Sequence, residues 1–159
     1  MIHGRRVSTV AAIATVAAAL LAVVSCTGAG PRPVHMNEDA CGYCRMEITD
    51  ARFASQVVTR TGKQHVFDSV ECLVGYLRGA AADAGRAVWV ADTERPTVWV
   101  AAAEAGFVLD GSLRAPMGRV VAFASPVAAR AATTRLGGTT VSWAAILSDS
   151  AGITGHEAH

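Results

Sequence analysis

Lysine is almost missing from this chain: Lys63 stands alone among 14 basic residues, set against 13 acidic ones. No basic stripe exists for a nucleic-acid backbone to follow, which excludes that class of partner. Also absent are the Gly-x-Ser-x-Gly elbow, a phosphate-binding Walker loop and a His-Glu-x-x-His zinc motif, so the common hydrolase, nucleotide and metallopeptidase sites have no foothold. Beyond residue 24 no second apolar run is long enough to cross a bilayer. The abundance of alanine accompanies the scarcity of lysine and carries no functional reading.

What is present begins with an export signal. Arg5 and Arg6 form a basic leader, residues 7–24 an alanine-rich apolar run, and Val23-Val24-Ser25-Cys26 resembles the lipobox of bacterial lipoproteins, in which the cysteine becomes the acylated first residue. An uncleaved anchor is the alternative, because a run of this length can just span a membrane; its alanine content and its Ser-Cys end favour cleavage. Residues 1–25 then read as signal peptide, and Cys26 as the lipidation site holding the protein at the extracytoplasmic face of the cell membrane. Losing Arg5 and Arg6 leaves 12 basic against 13 acidic residues, a net charge of −1. The 134 residues that remain suit a single domain with a real core. Residues 26–39, with Gly28, Gly30, Pro31 and Pro33, read as a lipidated tether, and residues 148–159 as a flexible tail whose His156 and His159 are solvated.

Four cysteines minus Cys26 leave three, Cys41, Cys44 and Cys72, an odd number in a compartment that oxidises thiols. A disulfide framework does not use three. A Cys41–Cys44 disulfide with Cys72 as core filling is the plain alternative. A thioredoxin-like motif fits less well, since Cys41 follows the polar stretch Met36-Asn37-Glu38-Asp39 rather than a strand. Met46 lies two residues after Cys44, and thiolates with thioethers together select copper(I). His35 and Met36 are donors held in reserve.

Residues 53–60 and 63–67 read as a hairpin turning at Thr61-Gly62. Asp68 has the look of a helix N-cap with Glu71 in capping-box spacing, Leu73, Tyr76 and Leu77 at helical intervals and Gly79 as the stop. Cys72 then falls in the first turn, where backbone N–H groups and the helix dipole favour its thiolate. A strand at residues 87–91 closes this unit. The second half repeats the order: a strand at 97–102, a partner at 119–123, a helix from Ser125 with Pro126 in its first turn to Leu136, Gly137 as terminator, and a last strand at 139–142. Phe67-Asp68-Ser69-Val70 and Phe123-Ala124-Ser125-Pro126 open the two helices alike, so the chain reads as two ββαβ units, about 53–92 and 96–147, in one α+β domain. Met117, between Pro116 and Gly118, belongs to a turn rather than to a core-facing helix.

The runs Cys41-Gly42-Tyr43-Cys44-Arg45-Met46-Glu47-Ile48 and Phe53-Ala54-Ser55-Gln56, the Phe67-Asp68 to Cys72 helix start and the Pro116-Met117-Gly118 turn leading to Phe123 together resemble the NosL family of copper-binding lipoproteins. The resemblance covers residues 40–147. It implies an α+β fold of two ββαβ halves, like that of organomercurial lyase, a copper(I) cargo and a metallochaperone role in assembling an exported copper enzyme, above all nitrous oxide reductase, directly or through its maturation transporter. It also implies Cys44, Met46 and Met117 as ligands; Cys41 and Cys72 are further candidates on their own chemistry. The chain departs from the family's shorter Cys-Gly-Met form by placing Arg45 before Met46, and it adds Cys41 and Cys72.

The residues support a carrier on their own terms. Low-coordinate copper(I) held by two or three soft donors on a loop leaves a direction open from which an acceptor can attack. Zinc is the rival, with Cys41, Cys44, Cys72 and His65 as its four ligands, but it leaves Met46 and Met117 without a role. Enzyme chemistry on a carbon–metal bond, by a cysteine and an acid, is an analogy of fold only. A purely structural lipoprotein is the third class.

Overall fold

The computed structural model describes residues 30–79 and 87–148. The signal and lipobox readings, Cys26 included, and the tail histidines lie outside the described residues. Among these, no helix is long and apolar enough to cross a membrane.

After a 3-10 turn at Ala51–Phe53 come β1 (Ser55–Val58), β2 (Gln64–Phe67), α1 (Val70–Gly79), β3 (Ala87–Asp92), β4 (Arg95–Ala101), β5 (Gly106–Leu109), β6 (Val120–Phe123), α2 (Pro126–Leu136), β7 (Thr139–Val141) and α3 (Trp143–Leu147). Every strand pair is antiparallel, in two sheets of order β2-β1-β3-β4 and β6-β5-β7. β1, β2, α1 and β3 thus trace the same path as β5, β6, α2 and β7, with the first strand central each time. Registers agree as well: Ser55 faces Phe67 and Gly106 faces Phe123. The fold is α+β with two ββαβ units.

One strand assignment needs correction. The strand expected at 97–102 as partner of 119–123 is β4, which pairs instead with β3 and extends the first sheet; the partner of β6 is β5. The sequence hides β5 because Gly106-Phe107-Val108-Leu109 is short and carries no polar alternation. Lack of alternation has a physical cause, since both faces of the second sheet are covered. Phe107, Val120 and Ala122 join the larger core with Phe67, Leu73 and Val57, whereas Val108, Val121 and Phe123 pack with Ala129 and Ala132 of α2. A strand buried on both faces reads as a continuous apolar run.

α1 packs on β1 and β2 of its own unit and on β6 of the other. It is the shared element of the two units, and its N-terminus lies where they meet. The Thr93 N–H donates to the Ala122 carbonyl at 2.9 Å, a second tie between the units. The stretch expected as a tether is fastened from Gly30 onward: the Arg32 N–H donates to Gln56 Oε1 at 3.1 Å, the Gln56 amide donates to the Arg32 carbonyl at 2.5 Å, and the Arg32 guanidinium forks onto Asp39. Gln56 is fully buried in the central strand, so these bonds satisfy a polar side chain that would otherwise be costly there.

Candidate metal centre

The loop from Cys41 to Met46 is a tight knuckle. The Cys41 N–H donates to the Met46 carbonyl at 2.8 Å and the Arg45 N–H to the Cys41 carbonyl at 3.1 Å, which turns the chain back on itself; Arg45 takes the left-handed conformation at φ 68°. The Gly42 N–H donates to the Val66 carbonyl at 2.7 Å and docks the knuckle on the end of β2. Gly42 is tight there, since a Cβ would meet the Phe67 ring at 3.0 Å.

β2 delivers the chain to Asp68, Ser69 and α1. The N-cap is Ser69 and not Asp68: its Oγ accepts from the Cys72 N–H at 3.1 Å, while its carbonyl accepts from the Leu73 N–H and from the Ser55 hydroxyl. The capping box read at Asp68 and Glu71 does not form either, because Glu71 points to the second unit. Its Oε1 accepts from the N–H groups of Arg119 and Val120 at 2.6 and 2.9 Å.

Relieved of capping, Asp68 turns toward the sulfur atoms. Cys41, Cys44, Cys72 and Asp68 bring one ligand atom each within 4.8 Å of one another. Cys41, Cys72 and Asp68 are buried and Cys44 is half-buried; all three thiols are free. The Cys44 thiol donates to Asp68 Oδ2 at 3.5 Å, and Asp68 Oδ1 is buried with no partner. An unsatisfied buried carboxylate oxygen beside three sulfurs needs an explanation, and a cation supplies it.

The thiols differ electrostatically. Cys41 is pulled down to about 6, first by the hydrogen bond it accepts from Cys72 and then, against burial, by the backbone N–H groups of Asp68, Tyr43 and Cys44. Burial pushes Cys44 up to about 11, and the proximity of Cys41 and Asp68 adds to the rise. The Cys72 thiol is raised, because it serves as donor to Cys41 and is desolvated beside Asp68. The N–H of the Cys72 turn is used by Ser69, and the backbone N–H groups of Asp68, Tyr43 and Cys44 favour the anion at Cys41, so the hydrogen bonds lower the Cys41 thiol and raise the Cys72 one.

Other readings come out differently. Asp68, not His65, completes the set of four; His65 packs against Tyr76 in a tilted arrangement at 5.0 Å between ring centres, with its basicity lowered by burial and by Lys63 and Arg45. Asp68 was missed because its position before a helix suggested capping. The signal that identifies it is Ser69 beside it, an equally good cap that leaves the aspartate without work. Met46 and Met117 are exposed at 51% and 36%, and so is Met36. The Met117 turn lies against the start of α1: Ala115 and Gly118 pair across it, Arg119 and Val120 bond Glu71, and a Cβ on Gly118 would overlap the Glu71 carboxylate.

No functionally curated protein matches the sequence. The crystal structure of the copper chaperone NosL from Shewanella denitrificans resembles this fold with a TM-score of 0.58 at 22% identity, over 71% of this chain and 94% of that one. The NosL family profile matches residues 33–151, the greater part of the chain, and the protein accordingly belongs to the NosL family.

Proposed function

We propose that the protein is a copper(I)-binding lipoprotein, anchored through Cys26 at the extracytoplasmic face of the membrane, that passes copper to an exported copper enzyme or its maturation transporter. Nitrous oxide reductase is the proposed client. Membership of NosL puts the chain among carriers rather than enzymes. The observation that carries the reading is the group of three free thiols and Asp68 within 4.8 Å, at the junction of the two units. Thiolates select the monovalent ion, and an export signal would put the cluster where an exported client receives its metal. Cys44, half-buried between the interior sulfurs and solvent, is the pivotal ligand, with Met46 and Met117 as exposed thioether donors from which copper leaves. Cys41 and Cys72 hold the inner side.

The test is competition against a copper(I) chelator under anaerobic, reducing conditions on the protein lacking its signal, with Cys44→Ser, Met46→Ala, Met117→Ala, Cys41→Ser and Cys72→Ser alongside. One copper(I) per chain and a large loss in Cys44→Ser support the reading. Zinc is the second reading, and a specific observation favours it: three thiolates with one carboxylate make a complete tetrahedral zinc set. Stoichiometric zinc with no copper(I) preference would establish it instead. For the anchor, Cys26→Ala should abolish incorporation of labelled palmitate and leave the precursor unprocessed. For the client, deleting the gene should lower the copper content and activity of nitrous oxide reductase in cells.

A further inference from the structure

Glu71 does something that the repeat does not ask of it. Its counterpart in the second unit, two residues after the capping serine of α2, is Val127, which is 72% exposed and has no polar side-chain group to bond another element. α2 forms and caps without a carboxylate there, so helix formation does not explain Glu71. Its side chain is largely buried and reaches across the unit boundary to the Arg119 and Val120 N–H groups at 2.6 and 2.9 Å. The other oxygen, Oε2, is buried without a partner and faces Gly118. Room for it exists only because residue 118 is glycine, whose φ is not in the left-handed region; the glycine is required by close approach and not by turn conformation. The carboxylate holds the two N–H groups that follow the Pro116-Met117-Gly118 turn, and it sits one residue before Cys72.

We propose that Glu71 is a positioning residue: it clasps the Met117 turn of the second unit to the thiol-bearing start of α1 and so sets the Met117 thioether where it completes the metal site. This rests on the copper reading and on Met117 as a donor. A thioether on an exposed turn contributes little if it must be ordered at the moment of binding; a clasp at the base of the turn removes that cost beforehand. Residues that orient ligands in this way typically change metal affinity by ~10–100-fold when removed.

The experiment is a double-mutant cycle in the copper(I) competition assay, with copper X-ray absorption to count sulfur neighbours. Glu71→Ala should weaken copper(I) binding by about the same factor as Met117→Ala, each ~10-fold or more on the scale of orienting residues, and the double variant should lose no more than either. Both should lose one sulfur from the copper shell. Glu71→Gln, which keeps the acceptor oxygen, should retain wild-type sulfur count. Gly118→Ala, whose Cβ would collide with the Glu71 carboxylate and push the turn away from α1, should act as Glu71→Ala does and serves if that variant fails to fold. Additive losses, or a lower melting temperature with unchanged affinity and sulfur count, would reduce Glu71 to a structural strut and overturn the proposal. Copper(I) binding indifferent to Cys44→Ser and Cys41→Ser would instead show that the copper reading itself fails, and the proposal with it.

Discussion

The two ββαβ units share a path, a central first strand and a serine cap, with Cys72 N–H bonded to Ser69 in one and Ala128 N–H to Ser125 in the other. Position by position at the helix start, Asp68, Glu71 and Cys72 stand in the first unit where Ala124, Val127 and Ala128 stand in the second. The first unit carries chemistry on a frame that the second shows to be sound without it. Their helices are also seated differently. Ser55, on the first central strand, donates its hydroxyl to the Ser69 carbonyl at 3.0 Å; at the matching Gly106 a Cβ would overlap the Ser125 carbonyl, so α2 lies closer to its sheet than α1 does. Small residues on the inner face of α2, Ala129 and Ala132, permit that approach. On α1 it is Gly75 that leaves room for the Tyr43 ring of the Cys41–Met46 knuckle.

The sharpest way to break this contrast is to substitute a proposed ligand and its counterpart in the other unit. Cys72→Ser should weaken metal binding about a hundredfold, on the scale of structural zinc–thiolate sites, where roughly 10–16 kcal/mol is shared among four ligands. Ala128→Ser, its counterpart, should leave affinity unchanged in the same chelator competition. Next in size is the helix seating: Gly106→Ala should cost about 1–3 kcal/mol in urea unfolding because backbone, not a flexible side chain, must move. Ser55→Gly should cost less, about 1 kcal/mol, as it removes one buried hydrogen bond.

Proton competition gives a third test, with the sign fixed by the thiols themselves. Cys41, at about 6, is already ionised at neutral pH, so binding through it releases almost no proton there and weakens only below about pH 6. Cys44, at about 11, must lose a proton on binding throughout the neutral range. Affinity should therefore rise with pH by about tenfold per unit for each such thiolate between pH 7 and 9, and more steeply below 6. Chelator competition across pH 5–9 reads both slopes, and a flat profile above pH 7 would remove Cys44 from the site. The smallest effect belongs to the shared feature: Ser125→Ala should cost about 1 kcal/mol of stability with no change in metal affinity, whereas Ser69→Ala should cost a similar amount and disturb binding as well.

Much of this was legible in the chain. Turn glycine, helix caps and terminators placed the hairpin, α1 and α2 close to their observed limits, because they act through local backbone geometry. The repeat was legible from two short similar helix starts. Missed elements share a cause: β5, buried on both faces, has no alternation to reveal it, and α3, with Ile146 in the core and Trp143 stacked on Phe107 at 5.8 Å, is a five-residue helix defined by what it packs against.

For the candidate site, residue type and spacing in the sequence determined the soft-donor chemistry, the three thiols Cys41, Cys44 and Cys72 and the membership in NosL, since these depend on side-chain identity alone. Only the tertiary structure decided that Asp68 turns to the sulfurs while Ser69 caps the helix, that the backbone N–H groups of Asp68, Tyr43 and Cys44 gather at Cys41, and that Glu71 reaches the Met117 turn. Those outcomes depend on which donors converge on one acceptor across long stretches of chain. Local sequence does not encode that convergence, because burial and the packing of two units against α1 create it.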